Sequence, residues 1–245
     1  MNTCITTYCY GGMPGAVLNS YIGLANYISV NRKKVCMHTI REDALISRSR
    51  CRSTTRFLNT PCDVWVQLDH DIEFEPEDLF RLAEIALEKN AAVCVPYPCR
   101  ALPPRCALRP NGDGVIEFVG MDEVQSIQFC ASGFMAVPRK VIEETISLCK
   151  TDAVPPEFRV YDCVDSGLSD VPQFPSLWHP MVIEVKPGER EYLSEDYSGC
   201  ARMVIAGFEQ YAWKKPVLKH WGEMPFKMPT KDEIKPAPSL IITSN

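Results

Sequence analysis

VWVQLDHDIEFEPEDLF, residues 64–80, is the stretch on which the fold turns. Val64 to Leu68 make an apolar run of strand length and predict a strand. Asp69 and Asp71 then flank His70, and carboxylates are not left unpaired in a core. The strand therefore surfaces at its C-terminal end. Pro76 falls where a first helical turn tolerates proline, and Glu77 and Asp78 suit the positive end of a helix dipole, so EPEDLFRLAEIALEKN predicts a helix.

The same alternation extends in both directions. Upstream, CITTYCY (4–10) reads as a strand stopped by Gly11-Gly12 and Pro14-Gly15, and AVLNSYIGLANYISVN carries apolar residues near helical spacing. Lys34 to Ile40 predict a second strand. EDALISRSRCRSTTRFLNT (42–60) predicts a second helix, with Glu42 and Asp43 near its N-terminus. Downstream, AAVCVPYP (91–98) is a fourth strand. Such alternation predicts an α/β fold with a mostly parallel, helix-flanked sheet, which binds ligands at the carboxyl ends of its strands. Asp69 and Asp71 lie at such an end.

After residue 100 the pattern loosens. ALPPRCALRPNGDG and TDAVPPEFRVYDCVDSGLSDVPQFPSLWHP are irregular, as substrate walls often are. FCASGFMAVPRKVIEETISLC reads as a strand and a helix, DYSGCARMVIAGFEQYAW as a further helix, and PVLKHWG as a strand. The expected organisation is one domain over 1–222, with halves 1–100 and 101–222, followed by a loosely held tail, 223–245.

Composition narrows the functional classes. The chain has 245 residues, 46% of them hydrophobic, enough for one sizeable domain. A formal net charge of −5 provides no global basic field for nucleic acid or anionic membranes. The absence of an apolar run of about 18 residues and of a signal-peptide pattern leads us to expect a soluble, cytoplasmic protein with no membrane span. Twelve cysteines scattered through an ample core read as reduced thiols, and the spacing of Cys94, Cys99 and Cys106 misses the C-x2-C pattern of a zinc knuckle.

In strand geometry residues two apart face the same way, so Asp69 and Asp71 are expected to point together and share one cation. Hard ions such as Mg²⁺ and Mn²⁺ take one or two carboxylates and complete their shell with substrate phosphates. The competing reading is that of ordinary strand-end acids, for Glu73, Glu75, Glu77 and Asp78 follow closely.

SRSRCRSTTRFLNTPCDVWVQLDHDIEF (47–74) resembles the segment of GT-A fold glycosyltransferases, especially the small viral and phage-type ones, in which an R-x-R-N-like helix precedes a strand ending in D-x-D. Cys51 stands where that family often has asparagine. Far downstream, Glu195, Asp196, Arg202 and Gly207 are similar to the E-D-x5-R-x4-G block of inverting family 2-like glycosyltransferases, followed here by His220 and Gly222. The resemblance implies a GT-A fold and transfer from a nucleotide-diphosphate sugar with Mn²⁺ or Mg²⁺.

It also implies roles. Asp69, Asp71 and His220 would hold the metal, and Arg48 or Arg50 would approach the diphosphate. Thr6, Tyr8 and Tyr10 would meet the base and ribose, although this strand composition packs in a core as readily. Asp196, beside Glu195, would take the acceptor's proton with inversion; helix capping after Ser194 is the alternative. The acceptor hydroxyl would belong to a glycan, a protein, a small molecule or a modified DNA base. Trp178 and Trp221 suit either sugar stacking or packing, and Gly133 either a sugar approach or a bulge. Two rival classes remain. A sugar-phosphate nucleotidyltransferase normally carries a basic residue in its first loop, which YCYGGMPGAV lacks, and a non-catalytic sugar-binding protein of this fold would need no intact acids.

Overall fold

The structure, a computed structural model, describes the chain except for residues 42, 101–104, 113, 115, 117–118, 166–170, 223–224 and 232–245. Its first half follows the alternation closely: β1 (Asn2–Cys9), α1 (Gly15–Val30), β2 (Lys34–Arg41), α2 (Ile46–Leu58), β3 (Val64–Asp69), the short β4 (Ile72–Glu73), α3 (Pro76–Lys89) and β5 (Ala92–Cys94). The second half contributes β6 (Arg109–Pro110), β7 (Val124–Phe129), β8 (Phe134–Pro138), α4 (Arg139–Cys149), β9 (Asp162–Val164), β10 (Gln173–Pro175), β11 (Met181–Lys186), β12 (Glu189–Leu193), α5 (Glu195–Ile205), β13 (Gln210–Trp213), β14 (Lys219–Trp221) and β15 (Pro225–Lys227).

Eight strands form the central sheet in the order β2-β1-β3-β8-β5-β13-β7-β6. β1 pairs in parallel with β2 and β3, and β13 with β5. β8 is inserted antiparallel between β3 and β5, and β7 runs against both β13 and β6. The expected α/β, helix-flanked, mostly parallel architecture therefore holds, with two strands running counter to the rest. β8 takes its central place because all five of its residues are buried.

Two expectations near the C-terminus are corrected. The helix stops at Ile205, and QYAW is strand β13. Gly207, at φ +88°, ends it: Phe208 N–H donates to Met203 and Gly207 N–H to Val204, the Schellman pair of bonds that only a left-handed residue closes easily. Nor does the chain leave the fold at Gly222, because β15 pairs with β14, which pairs with β4, in a small second sheet. Residues 232–245 of the expected tail lie outside the described residues.

All twelve cysteines are free thiols, and the seven buried ones pack in the core. Among the described residues no helix is long and apolar enough to cross a membrane.

Candidate functional site

The carboxyl ends of β1, β2 and β3 form one edge, where Tyr8 lies opposite both Ile40 and Asp69 in the sheet register. A cleft of about 250 Å³ opens there, lined by Tyr8, Tyr10, Asp43, Ser49, Asp69 and Asp71 among others. This is the position that a parallel sheet reserves for ligands.

Beneath the cleft lies Arg50. α2 turns a face of Ser49, Arg50, Ser53, Thr54 and Phe57 into the protein, and small hydroxyl side chains make that polar face buriable. Ser53 and Thr54 return their hydroxyls to the carbonyls of Ser49 and Arg50. The Arg50 guanidinium donates to Gln67 Oε1 at 3.1 Å, to the Ser132 carbonyl at 3.4 Å and to Asp69 Oδ1 at 3.1 Å. Its Nε lies 3.8 Å from Glu195 Oε1, and the group sits 4.4 Å from the Tyr8 ring centroid. One buried cation therefore hydrogen-bonds Asp69 from the first half of the chain and lies within ion-pair distance of Glu195 from the second.

Asp69 and Asp71 share the cleft but not their neighbours. Strand geometry ends at Asp69, residues 70 and 71 turn, and the expected same-face pairing does not follow from the pleat. Asp71 instead meets His220, because β14 pairs with β4 and sets His220 opposite Ile72; Trp221 N–H donates to the Asp71 carbonyl at 2.8 Å. His220 Nε2 lies 3.5 Å from Asp71 Oδ1. Its Nδ1–H donates to the Pro98 carbonyl at 2.8 Å, which leaves Nε2 as the ring's lone pair. Burial, helped by the Arg100 charge, lowers the imidazole pKa and favours this neutral form. Arg100 Nη2 contacts Asp71 Oδ2, and its Nε donates to His220 Nε2 at 3.2 Å.

This donor set fits a divalent cation. Asp71 Oδ1 is buried without a hydrogen-bond partner among the described residues, and it faces the imidazole lone pair. Among the described residues no group of three or more His, Cys, Asp or Glu side chains is placed to hold a metal ion.

Glu195 and Asp196 open α5. Burial raises the Glu195 pKa above the usual carboxylate range, although Arg50 opposes the shift. Asp196 Oδ1 accepts from the Ser194 hydroxyl and from Tyr197 N–H at 2.8 Å, taking up a free amide of the first turn. Arg202 points the other way: it is buried and donates to the carbonyls of Phe158, Leu177 and His179. It ties Phe158 and residues 177–179 to α5. Gly199 serves the same junction, since a Cβ there would sit 2.3 Å from the Trp178 ring.

The other residues singled out in the sequence have the following surroundings. Thr6 is fully buried and accepts the Trp65 indole N–H at 2.9 Å, so it does not line the cleft. Arg50 is committed below Asp69 rather than exposed to a diphosphate. Arg48 forms a bidentate pair with Asp43, with contacts down to 2.6 Å. Tyr8 lines the cleft but is almost buried, its hydroxyl donating to Gln67 at 3.0 Å. Trp178 is core, and its indole N–H bonds Thr54. Gly133 is required by Tyr97 and Asp69: its added Cβ would meet them at 2.5 and 3.0 Å.

Sequence reading did not single out Asp43, Gln67 or Tyr97 as site residues. Gln67, the one polar residue within VWVQL, carried a signal, because a buried amide demands a partner. Asp43 and Tyr97 carried none.

The sequence matches no protein-family model and no characterised protein. Among solved structures the chain is similar to A197 from STIV, with a TM-score of 0.54 and 12% identity over 98% of this chain and 100% of that one. Other similar structures include GalNAc-T7 with UDP, GalNAc and Mn²⁺ (TM-score 0.47, 10% identity, 89% of this chain and 43% of that one). They also include 4-diphosphocytidyl-2C-methyl-D-erythritol synthase from Anaerococcus prevotii (TM-score 0.35, 12% identity, 63% and 78%). The likeness to A197, nearly end to end in both chains, concerns the fold alone.

Proposed function

We propose that the chain is a metal-dependent glycosyltransferase that moves a sugar from a nucleotide-diphosphate sugar to an acceptor hydroxyl, with inversion at the anomeric carbon. The observation that carries this reading is the convergence of Asp69 and Glu195 on the buried Arg50, beside a cleft that also holds Asp71 with His220 behind it.

In the reaction the acceptor oxygen attacks the anomeric carbon, the carbon–diphosphate bond breaks with its electron pair leaving on oxygen, and the hydroxyl proton passes to a carboxylate. Glu195 is the favoured proton acceptor, since its raised pKa suits a base, whereas Asp196 has an oxygen engaged by Ser194 and Tyr197. Asp196, singled out by the sequence resemblance, then fixes the turn that presents its neighbour. Mn²⁺ or Mg²⁺ held by Asp71 and His220, with Asp69 alongside, would supply a Lewis acid for the leaving diphosphate. Tyr10, exposed at the cleft, can stack on the base.

The test is release of nucleoside diphosphate from a panel of UDP-, GDP- and TDP-sugars, with Mn²⁺ or EDTA, by the wild type and Asp71→Ala. Metal-dependent release from one donor, lost in the variant, is expected. No release together with no metal-dependent nucleotide binding overturns the reading, and release of pyrophosphate from a nucleoside triphosphate and a sugar phosphate would replace it with nucleotidyl transfer.

A further inference from the structure

We infer that Arg100 is the resident counter-cation of the Asp71–His220 pair, and that it must yield this place when a divalent cation and a diphosphate bind together. The inference rests on the metal and diphosphate reading above and adds a built-in coupling between those two ligands.

The Asp71 side chain is only 9% exposed, and a buried carboxylate needs a positive partner. Arg100 provides it. One guanidinium spans both candidate ligands, Nη2 on Asp71 Oδ2 and Nε on His220 Nε2. The His220 lone pair is one that a metal would use, and the guanidinium charge sits on the same carboxylate, so Arg100 and a divalent cation compete for one position. Asp71 Oδ1, buried and without a hydrogen-bond partner among the described residues, is the part of the carboxylate that Arg100 leaves unserved.

Two further features show a built arrangement. Gly222 has no left-handed backbone angle to explain it, yet an added Cβ would lie 3.2 Å from Arg100 Cδ and 3.6 Å from the Phe226 ring. The missing side chain makes room for the arginine stem. The Arg100 side chain is 47% exposed, so it can leave Asp71 without disturbing the core.

A functional consequence follows. A bare metal ion must displace Arg100 to bind, which weakens its affinity. A diphosphate contributes oxygens to the metal and also offers Arg100 another anion. Metal and nucleotide therefore strengthen each other's binding, and by linkage the effect is reciprocal. Arg100 keeps the metal position filled by the protein's own charge until a donor arrives.

The experiment measures Mn²⁺ binding to the full chain by the electron paramagnetic resonance signal of the free ion, with and without UDP or GDP. It compares the wild type, Arg100→Gln, Gly222→Ala, which keeps the arginine but crowds its stem, and Asp71→Asn in each background. Arg100→Gln is expected to bind Mn²⁺ alone about five-fold more tightly or better, and to lose the same factor from the enhancement by nucleotide, as typical coupling strengths imply. Gly222→Ala should move in the same direction, and Asp71→Asn should abolish binding throughout. Unchanged or weaker Mn²⁺ binding in Arg100→Gln, with Asp71-dependent binding intact, overturns the inference and leaves the metal reading standing. Absence of Mn²⁺ binding in every protein, nucleotide present or not, overturns both.

Discussion

Arg50 donates from Nη2 to Asp69 Oδ1 at 3.1 Å, from a side chain 3% exposed to one 27% exposed. A fixed interior cation thus holds an acid that faces solvent, and the same guanidinium reaches Gln67, the Ser132 carbonyl and the neighbourhood of Glu195. Preorganisation of this kind costs nothing at the moment of reaction, because the orientation was fixed on folding.

Arg50→Ala should therefore act on stability as well as activity. It leaves Gln67 and Asp69 without their common donor, and the expected loss is about 2–4 kcal/mol in urea denaturation. Arg50→Lys keeps the charge but not the fork and should recover only part of it. A loss below about 0.5 kcal/mol, the range of ordinary surface substitutions, would remove Arg50 from its role as the site's support.

Glu195 ties function to pH. Burial raises its folded pKa above the unfolded value, so in the window between the two the folded state binds more protons than the unfolded one. Its contribution to stability is then greatest below the unfolded pKa and declines as pH rises through the folded one. Glu195→Gln removes this dependence. The variant should gain on the wild type as pH rises through that window, while transferase turnover is lost. Parallel stability profiles of the two proteins from pH 4 to 8 would contradict the assignment.

Gly133 carries a steric prediction. An added methyl meets Tyr97 at 2.5 Å and Asp69 Oδ2 at 3.0 Å, and overpacking of this kind costs about 1–3 kcal/mol. Gly12→Ala is the matched control, since nothing lies within 4 Å of its Cβ. Thermal unfolding should separate the two, with Gly133→Ala also weakening nucleotide binding through Asp69. Equal midpoints would refute the close-contact account.

Arg202→Ala should loosen the 158–179 segment from α5. Three carbonyls lose their donor, at 2.8, 2.9 and 3.2 Å, and a loss of about 3 kcal/mol is expected. Hydrogen exchange supplies the decisive readout: protection should fall first at 158–179. Uniform loss across the chain, or none, would count against the clamp.

Much of the first half was legible because local patterns and the fold agree there. Strands β1 to β3 and helices α1 to α3 lie where alternation of apolar runs, turn residues and acidic helix starts places them. β8 reads as a strand, but its antiparallel place between β3 and β5 has no local signal: five buried apolar residues fit any central slot. QYAW reads as helix because its apolar residues continue the periodicity past Gly207, whose left-handed turn ends that helix.

The sequence by itself determined the α/β class, the strand that surfaces at Asp69, and the residue types able to hold a cation and take a proton. Composition and short-range spacing suffice for these. Only the tertiary structure decided which groups meet. Pairing of β14 with β4 brings His220 to Asp71, and burial of α2's polar face sets Arg50 between Asp69 and Glu195. Arg202 became an interior clamp, and Arg100 a counter-cation. The physical reason is common to all four: an ionisable side chain's role depends on the partners that burial supplies, and those partners lie far away in sequence.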